Sequence, residues 1–460
     1  MVRSDTGQAE RGKLKSLILP VDLEASLKLH LFEGPAESCA VIFAASSLAG
    51  GDERLLARTF LIPSSENYIR RTEDSAVLSP KFVFEVTRQA QSLSEAIVFV
   101  HSHPFEHGNP VFSAVDDAGE REITTFVRGR GGLILLSLVG SRNAWRCRIL
   151  GTEQMVPVIR VGPRTVYPFA KDSLLPNDNQ YDRQIRAFGA TGQSILGNLR
   201  VAIVGLGGTG SLVAQQLSYL GVRQFILIDP DKVEAHSLNR LVGATPQSVD
   251  KPKVEVIERY IRRVSPRSDI TKIVGDITDE KTAPSVFNAH FIFCCTDSHA
   301  SRAVLNQIAY QYLIPCIDMG VSLNVSGGTL TQVAGRVQML APGLACLTCT
   351  NSIDPRAVRE ELMTEEQRRV DPYFSGGPGI PQPSVVSLNS TISSLAVTMF
   401  IGAVTDAPLN SRFQLYDGIL GTVRNVAANP DPKCIVCSNL GALARGDGMR
   451  LPVKHRVRNG

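Results

Sequence analysis

The segment His101-Ser102-His103-Pro104, followed by Ser113-Ala114-Val115-Asp116, brings two imidazoles and a carboxylate close together in the chain. Both donor types suit Zn2+, and a catalytic zinc site takes three protein ligands and leaves a position for water. His101 and His103, in HxH spacing on extended backbone, project from one face, and Asp116 completes the count. Glu37 precedes the apolar run Cys39–Phe43 and is placed to act as general base toward water. Ser113 is a candidate hydrogen-bond donor to a developing oxyanion. A lone HxH would read as a polar strand edge; HxHP followed by SxxD, with a Glu upstream, favours a metal centre. His107 and Asp117 read as exposed loop residues.

Further along, Gly205-Leu206-Gly207-Gly208-Thr209-Gly210-Ser211 lies between a strand-like and a helix-like stretch. Gly205, Gly207, Gly208 and Gly210 would let backbone approach phosphate at a helix N-terminus. Such a turn alone does not separate nucleotide-activating enzymes from dinucleotide dehydrogenases, and Asp229 would bind a ribose in either. Cys346-Leu347-Thr348-Cys349 and Cys434-Ile435-Val436-Cys437 form two CxxC pairs with 84 residues between them. Four thiolates make a closed tetrahedral Zn2+ site, structural because no position remains for substrate. Two matched pairs make a redox CxxC the weaker reading. Cys39, Cys294, Cys295 and Cys316 sit in apolar contexts and read as core.

The elements that must position these groups are legible in outline. Ala40–Ala44, Ala96–Val100 and Leu133–Val139 read as strands of a first domain. Pro163, Pro168, Pro176, Asn177, Asp178 and Asn179 punctuate a linker. Val201–Val204, the glycine turn, a helix over Ser211–Leu220 and the strand Gln224–Ile228 ending at Asp229 form a βαβ start. The expected fold class is therefore α+β followed by α/β. The expected boundaries are a first domain over 1–160, a linker over 161–180, a second domain over 181–445 and a basic, solvated tail over 446–460.

The 460 residues carry 48 Lys plus Arg against 44 Asp plus Glu, a net charge of +4, which gives no reason to expect nucleic-acid or membrane partners. No apolar run approaching the ~20 residues of a membrane span is evident, nor a secretory leader. A cytoplasmic location is expected, where nine cysteines stay reduced.

Residues 15–150 resemble the JAB/JAMM metalloproteases of the MPN fold, on Glu37, the HxHP at 101–104 and the SxxD at 113–116. The resemblance implies zinc-dependent cleavage of ubiquitin-like proteins from conjugates, or trimming of their tails. Eight residues separate Pro104 from Ser113, about two more than the motif's spacing, through the insert Phe105-Glu106-His107-Gly108.

From Tyr181-Asp182-Arg183-Gln184-Ile185 to Cys437 the chain resembles the ubiquitin-activating superfamily, in particular its ThiF/MoeB-like members. Within this stretch stand Asp229-Pro230-Asp231-Lys232-Val233, Leu238-Asn239-Arg240, Lys251-Pro252-Lys253 and Cys295-Thr296-Asp297. The resemblance implies a Rossmann-like activating domain with a zinc knuckle that uses ATP and Mg2+. It implies that Asp229 holds the ribose, Arg240 and Lys253 neutralise the triphosphate, and Asp297 holds Mg2+. Arg183 would reach into the partner's site of a homodimer. Ser237 stands where members usually carry Asn, a shorter hydrogen-bonding group.

No cysteine occurs between Cys349 and Cys434 to receive an activated glycine, and Ser375 occupies the corresponding place. Either Ser375 forms an oxyester, which would need a base beside it, or the adenylate passes directly to an acceptor. The combined expectation is a bifunctional enzyme of a ubiquitin-like conjugation pathway. It would adenylate a Gly-ending ubiquitin-like protein, process precursors or conjugates, and work with a conjugating enzyme. Sulfur-carrier activation ending in a thiocarboxylate is the enzymatic alternative. A regulatory protein with one dead site is the other, and the intact ligand sets disfavour it.

Overall fold

Cys39–Ala45 is apolar at every position. Ala40, Ile42 and Ala44 belong to one buried cluster, Val41 and Phe43 to another. A strand buried on both faces belongs inside a sheet covered by helices, and the computed structural model has that arrangement. It describes residues 13–49, 51–127, 133–169, 179–363, 367 and 383–454. These fall into two units, Met1–Arg160 with Ala444–Met449 and Val161–Leu443 with Arg450–Gly460.

The first unit runs β1 (Lys13–Pro20), α1 (Val21–Leu31), β2 (Cys39–Ala49), β3 (Asp52–Leu61), β4 (Tyr68–Arg71), β5 (Ala76–Leu78), α2 (Pro80–Leu93), β6 (Ala96–Ser102), α3 (Ala114–Val127), β7 (Leu135–Gly140), β8 (Trp145–Ile149), β9 (Met155–Val156) and β10 (Val158–Val161). Its eight-stranded sheet has the order β10-β1-β3-β2-β6-β7-β8-β9, and β4 and β5 form a separate hairpin. Leu27 and Leu31 of α1 pack on one face. Phe82, Val83, Val86 and Ala90 of α2, with Val127 of α3, pack on the other. β2 and β6 pair antiparallel with Cys39 opposite His101. One step further, the Ser102 N–H donates to the Ser38 carbonyl at 3.0 Å. That register carries Glu37 across from His103.

The second unit runs α4 (Asp182–Asn198), β11 (Arg200–Val204), α5 (Gly208–Tyr219), β12 (Gln224–Ile228), α6 (Lys253–Val264), β13 (Asp269–Ile273), β14 (Phe291–Cys294), α7 (His299–Gln311), β15 (Cys316–Ser326), β16 (Thr329–Leu340), α8 (Pro355–Leu362), α9 (Val386–Val404), β17 (Phe413–Asp417) and β18 (Thr422–Asn425). Its sheet order is β13-β12-β11-β14-β15-β16-β17-β18. β13 through β15 pair in parallel, and β15 through β18 pair antiparallel. The chain leaves β11 toward β12 on one side and later returns to place β14 on the other. That reversal opens a crevice at the strands' carboxyl ends, where ligands bind in open α/β sheets.

Three expectations change. The stretch beginning at Val161 is packed rather than free: Thr165 N–H donates to Ala403 O and Tyr167 Oη to His290 O, each at 2.8 Å. Its prolines only punctuate, while Thr165 and Tyr167 supply anchors; residues 170–178, with Pro176, Asn177 and Asp178, lie outside the described residues. The tail is ordered through Lys454. Asp447 accepts the Leu48 N–H at 2.7 Å within the first unit, and Lys454 N–H donates to Thr278 O at 2.7 Å within the second. Finally, α9 has the length and apolarity of a membrane span. Its Ile392, Ala396, Phe400 and Ala403 are fully buried, as in a core helix.

Candidate functional site

In the first unit, the His101 and His103 rings lie 5.1 Å apart between centroids. Asp116, in the first turn of α3, places its two oxygens 3.1 Å from His101 Nε2 and 3.7 Å from His103 Nε2. One donor atom from each of the three lies within 4.8 Å of the others, an arrangement that could hold a metal ion. Among the described residues, His101 Nε2 is a buried atom with no hydrogen-bond partner of good geometry, although it stands 3.1 Å from Asp116. A buried imidazole nitrogen left this way, facing a carboxylate and a second imidazole, fits a ligand set better than a hydrogen-bonded network.

Glu37 Oε1 lies 3.8 Å from His103 Nε2. Burial raises the Glu37 pKa, with the charges of His101 and His103 opposing, and a raised carboxyl suits a general base. The Glu37 backbone is fixed separately. Its N–H donates to Thr72 O at 2.8 Å, and Arg71 Nε donates to its carbonyl at 3.1 Å. Arg71 was not legible as a site residue, because only the β4–β5 hairpin brings it to Glu37. Ser113 has a structural role beside the expected one, since accepting a bond at Oγ leaves its O–H to donate. It caps α3: its Oγ accepts the Asp116 N–H at 3.2 Å, and its own N–H donates to Asp116 Oδ2 at 2.6 Å. The cap aims the Asp116 carboxylate. Asp117 is not an idle loop residue; it pairs with the buried Arg148 at 2.6 Å, alongside Glu120. His107 is exposed, as expected.

In the second unit, the parallel register aligns Val204, Ile228 and Cys294 at one rim. Gly205, Asp229 and the Cys295-Thr296-Asp297 turn follow directly from these strand ends. Gly205 has φ +86° and lies so close to Cys295 that a Cβ would come within 2.7 Å of the Cys295 carbonyl. A Cβ on Gly210 would overlap Gly205 O, so only glycine lets the turn close there. Gly207 precedes α5 and Gly208 begins it.

Asp229 is buried, and its oxygens accept the N–H groups of Leu206 (2.6 Å) and Asp231 (2.8 Å). Each oxygen retains acceptor capacity for a hydroxyl. Burial raises its pKa, chiefly against the pull of Lys253. Lys253 Nζ sits 3.7 Å from Asp229 and 2.7 Å from Asp231. Ser211 Oγ accepts the Val242 N–H at 3.2 Å, holding the 235–242 segment on the first turn of α5. Arg240 Cδ thereby reaches within 3.5 Å of the position a Gly208 Cβ would take. Ser237 is buried in this segment, while Asp297 and Arg183 are exposed.

Asn389 belongs to none of the sequence motifs. It is buried on α9, donates to Ser384 Oγ at 3.0 Å, and would collide with any Cβ on Gly208. Four residues on, Ser393 Oγ donates to Thr209 O at 3.1 Å. The available signal was a single amide in a helix whose other polar residues are all hydroxyls.

Cys346 and Cys434, and Cys349 and Cys437, stand 3.5 Å apart through their sulfurs, with 3.7 Å between Cys346 and Cys349. A tetrahedron of Zn–S bonds near 2.3 Å has edges of about 3.8 Å, so the four fit one ion. Backbone N–H groups of Asp431 and Val436 point at Cys349 and Cys434 sulfurs, both at 3.4 Å. None of the nine cysteines forms a disulfide. Cys39, Cys294 and Cys316 are buried and Cys295 partly so. Ser375 lies outside the described residues.

Comparison with known proteins bears on the second unit. The ThiF family profile matches residues 181–436. The molybdopterin-synthase adenylyltransferase of Escherichia coli is 26% identical over 262 residues, 56% of this chain and 95% of that protein. The sulfur carrier protein ThiS adenylyltransferase of E. coli is 27% identical over 271 residues, covering 57% and 96%. The SAMP-activating enzyme E1 of Haloferax volcanii is 24% identical over 267 residues, covering 57% and 90%. A crystal structure of E. coli MccB with ATP aligns at a TM-score of 0.44 and 22% identity, over 57% of this chain and 75% of that one.

Proposed function

This chain belongs to the ThiF family through residues 181–436, and from that premise we propose that it adenylates the C-terminal glycine of a ubiquitin-like or sulfur-carrier protein with ATP. The observation that carries the reading is the convergence of Asp229, Lys253 and Arg240 on the glycine turn. Attack of a carboxylate on an α-phosphate brings two anions together, and preplaced cations offset that repulsion without reorganising. A carboxylate oxygen bonds to the α-phosphorus, the bond to the β-phosphate bridge breaks, and pyrophosphate leaves. Asp229 holds the ribose, Arg240 and Lys253 hold the phosphates, and Asp297 holds Mg2+, which disperses charge when bound. Arg183 completes the site of a second copy in a homodimer. Pyrophosphate exchange that depends on a Gly-ending β-grasp protein tests this; its absence with every carrier supplied would sink it.

The first unit is, in our reading, a JAMM-type metallopeptidase domain extending to about residue 160. Its His101, His103 and Asp116 hold Zn2+, which supplies Lewis acidity when bound, and Glu37 removes a proton from the attacking water. Cutting and activating would then address the same object, a glycine-ended tail. Joining the two favours a conjugation pathway with a conjugating enzyme in a reducing compartment. The family's sulfur-carrier members support the second reading equally up to the adenylate.

The four cysteines hold a structural Zn2+. Chelating that ion, or the substitution Cys349→Ser, should cost on the order of several kcal/mol and lower the Tm of the second unit by roughly 10 °C. Calorimetry showing an unchanged transition would remove the structural role. For transfer, Ser375→Ala should leave pyrophosphate exchange intact while abolishing any hydroxylamine-labile adduct on the chain. An adduct that survives the substitution excludes the oxyester.

A further inference from the structure

The insert between Pro104 and Ser113 is built rather than loose. Ser141 Oγ donates to Gly108 O at 2.7 Å, and Asn143 Nδ2 to His107 O at 3.2 Å. At its far end Phe112 lies against the His101 ring at 6.3 Å, and the Arg148 guanidinium stacks on it at 3.9 Å. At its near end the Glu106 N–H donates to His103 O at 3.2 Å. These fastenings bring Glu106 Oε1 to 3.1 Å from His103 Nδ1.

We propose that Glu106 is the positioning residue of His103: its carboxylate takes the Nδ1–H and leaves the Nε2 lone pair facing Glu37 and Asp116. This rests on the metal-centre reading above. A neutral imidazole has one donor and one acceptor nitrogen, and the bond made by one decides the role of the other. A carboxylate behind a ligating histidine fixes ring orientation and raises ligand basicity. The residues that lengthen the loop beyond the shorter motif spacing are thus what deliver this carboxylate. Among the described residues Glu106 Oε2 is buried without a hydrogen-bond partner, and the oxygen that does bond is the one turned to His103.

The test uses the full chain with zinc in its cysteine cluster, other sites stripped by a competing chelator, and Co2+ as the probe. Visible d–d absorption reports Co2+ binding at the histidine site. Glu106→Ala should weaken binding roughly 10–100-fold and shift the band. Glu106→Gln, which keeps an acceptor oxygen in reach of Nδ1, should stay within a few-fold, with melting curves confirming that both variants fold. Wild-type affinity and spectrum in Glu106→Ala, or equal losses in both variants, would overturn the proposal. No Co2+ signal from the wild-type chain would remove the metal centre itself, a separate outcome.

Discussion

Replacing Glu37 by Gln should reduce cleavage of a ubiquitin-like tail or isopeptide by roughly 10²–10⁴-fold, the range of a lost general base. The fold should survive, because the neighbourhood holds the Glu37 backbone rather than its carboxyl: Thr72 takes the N–H, and Arg71 binds the carbonyl. Metal affinity should change little, since the carboxylate stands 3.8 Å from His103 Nε2, outside the group of three ligands. Pyrophosphate exchange should be unaffected. Measured side by side, turnover and metal content separate base from ligand. A Glu37→Gln protein that still cleaves at the wild-type rate would end the peptidase reading. One that loses its metal would move Glu37 into the ligand set.

The second large effect belongs to Asp297 and Lys253. Asp297 is exposed, so Asp297→Ala should leave stability alone and lower carrier-dependent pyrophosphate exchange by at least ~10²–10³-fold, as for a lost preorganised charge partner. Lys253→Ala should give a similar loss with an added cost in stability, because Asp229 is buried and Lys253 is the charge that offsets its burial. A burial-raised carboxyl without its cation takes up a proton more readily. Exchange by Lys253→Ala should therefore fall further at acidic than at alkaline pH, relative to wild type. Equal exchange rates in wild type and Asp297→Ala would sink the assigned metal role.

How far such sites could be read in advance depended on the span of the interaction. His101, His103, Asp116 and each CxxC pair taken alone were legible from short chain spacing, whereas the meeting of the two pairs across 84 residues depends on the fold. The glycine turn and Asp229 were legible because one βαβ unit carries both. Arg148 and Asp117 lie on separate elements, and only the packing of α3 on the sheet joins them. Asn389 lies far beyond Gly208 in sequence and meets it through a helix packed on α5. Glu106 sat in plain view within a noted insert, but its direction depends on anchors at Ser141 and Asn143. The anchoring of the Thr165 backbone N–H and the Tyr167 hydroxyl is not legible from proline spacing, which says nothing about what the residues between prolines bind.

The assignment of Ala444–Met449 to the first unit has a practical corollary for dissecting the protein. No single backbone cut yields two fragments that each keep all their own residues. A fragment ending at Arg160 loses the Asp447 carboxylate that takes the Leu48 N–H, and with it the close approach of Gly446 to Ser46. β2, the strand that aims Glu37, would lose those contacts near its far end. Activity missing from such a fragment would report an incomplete domain rather than an inactive one, and supplying 444–449 as a peptide or a permuted extension is the appropriate control.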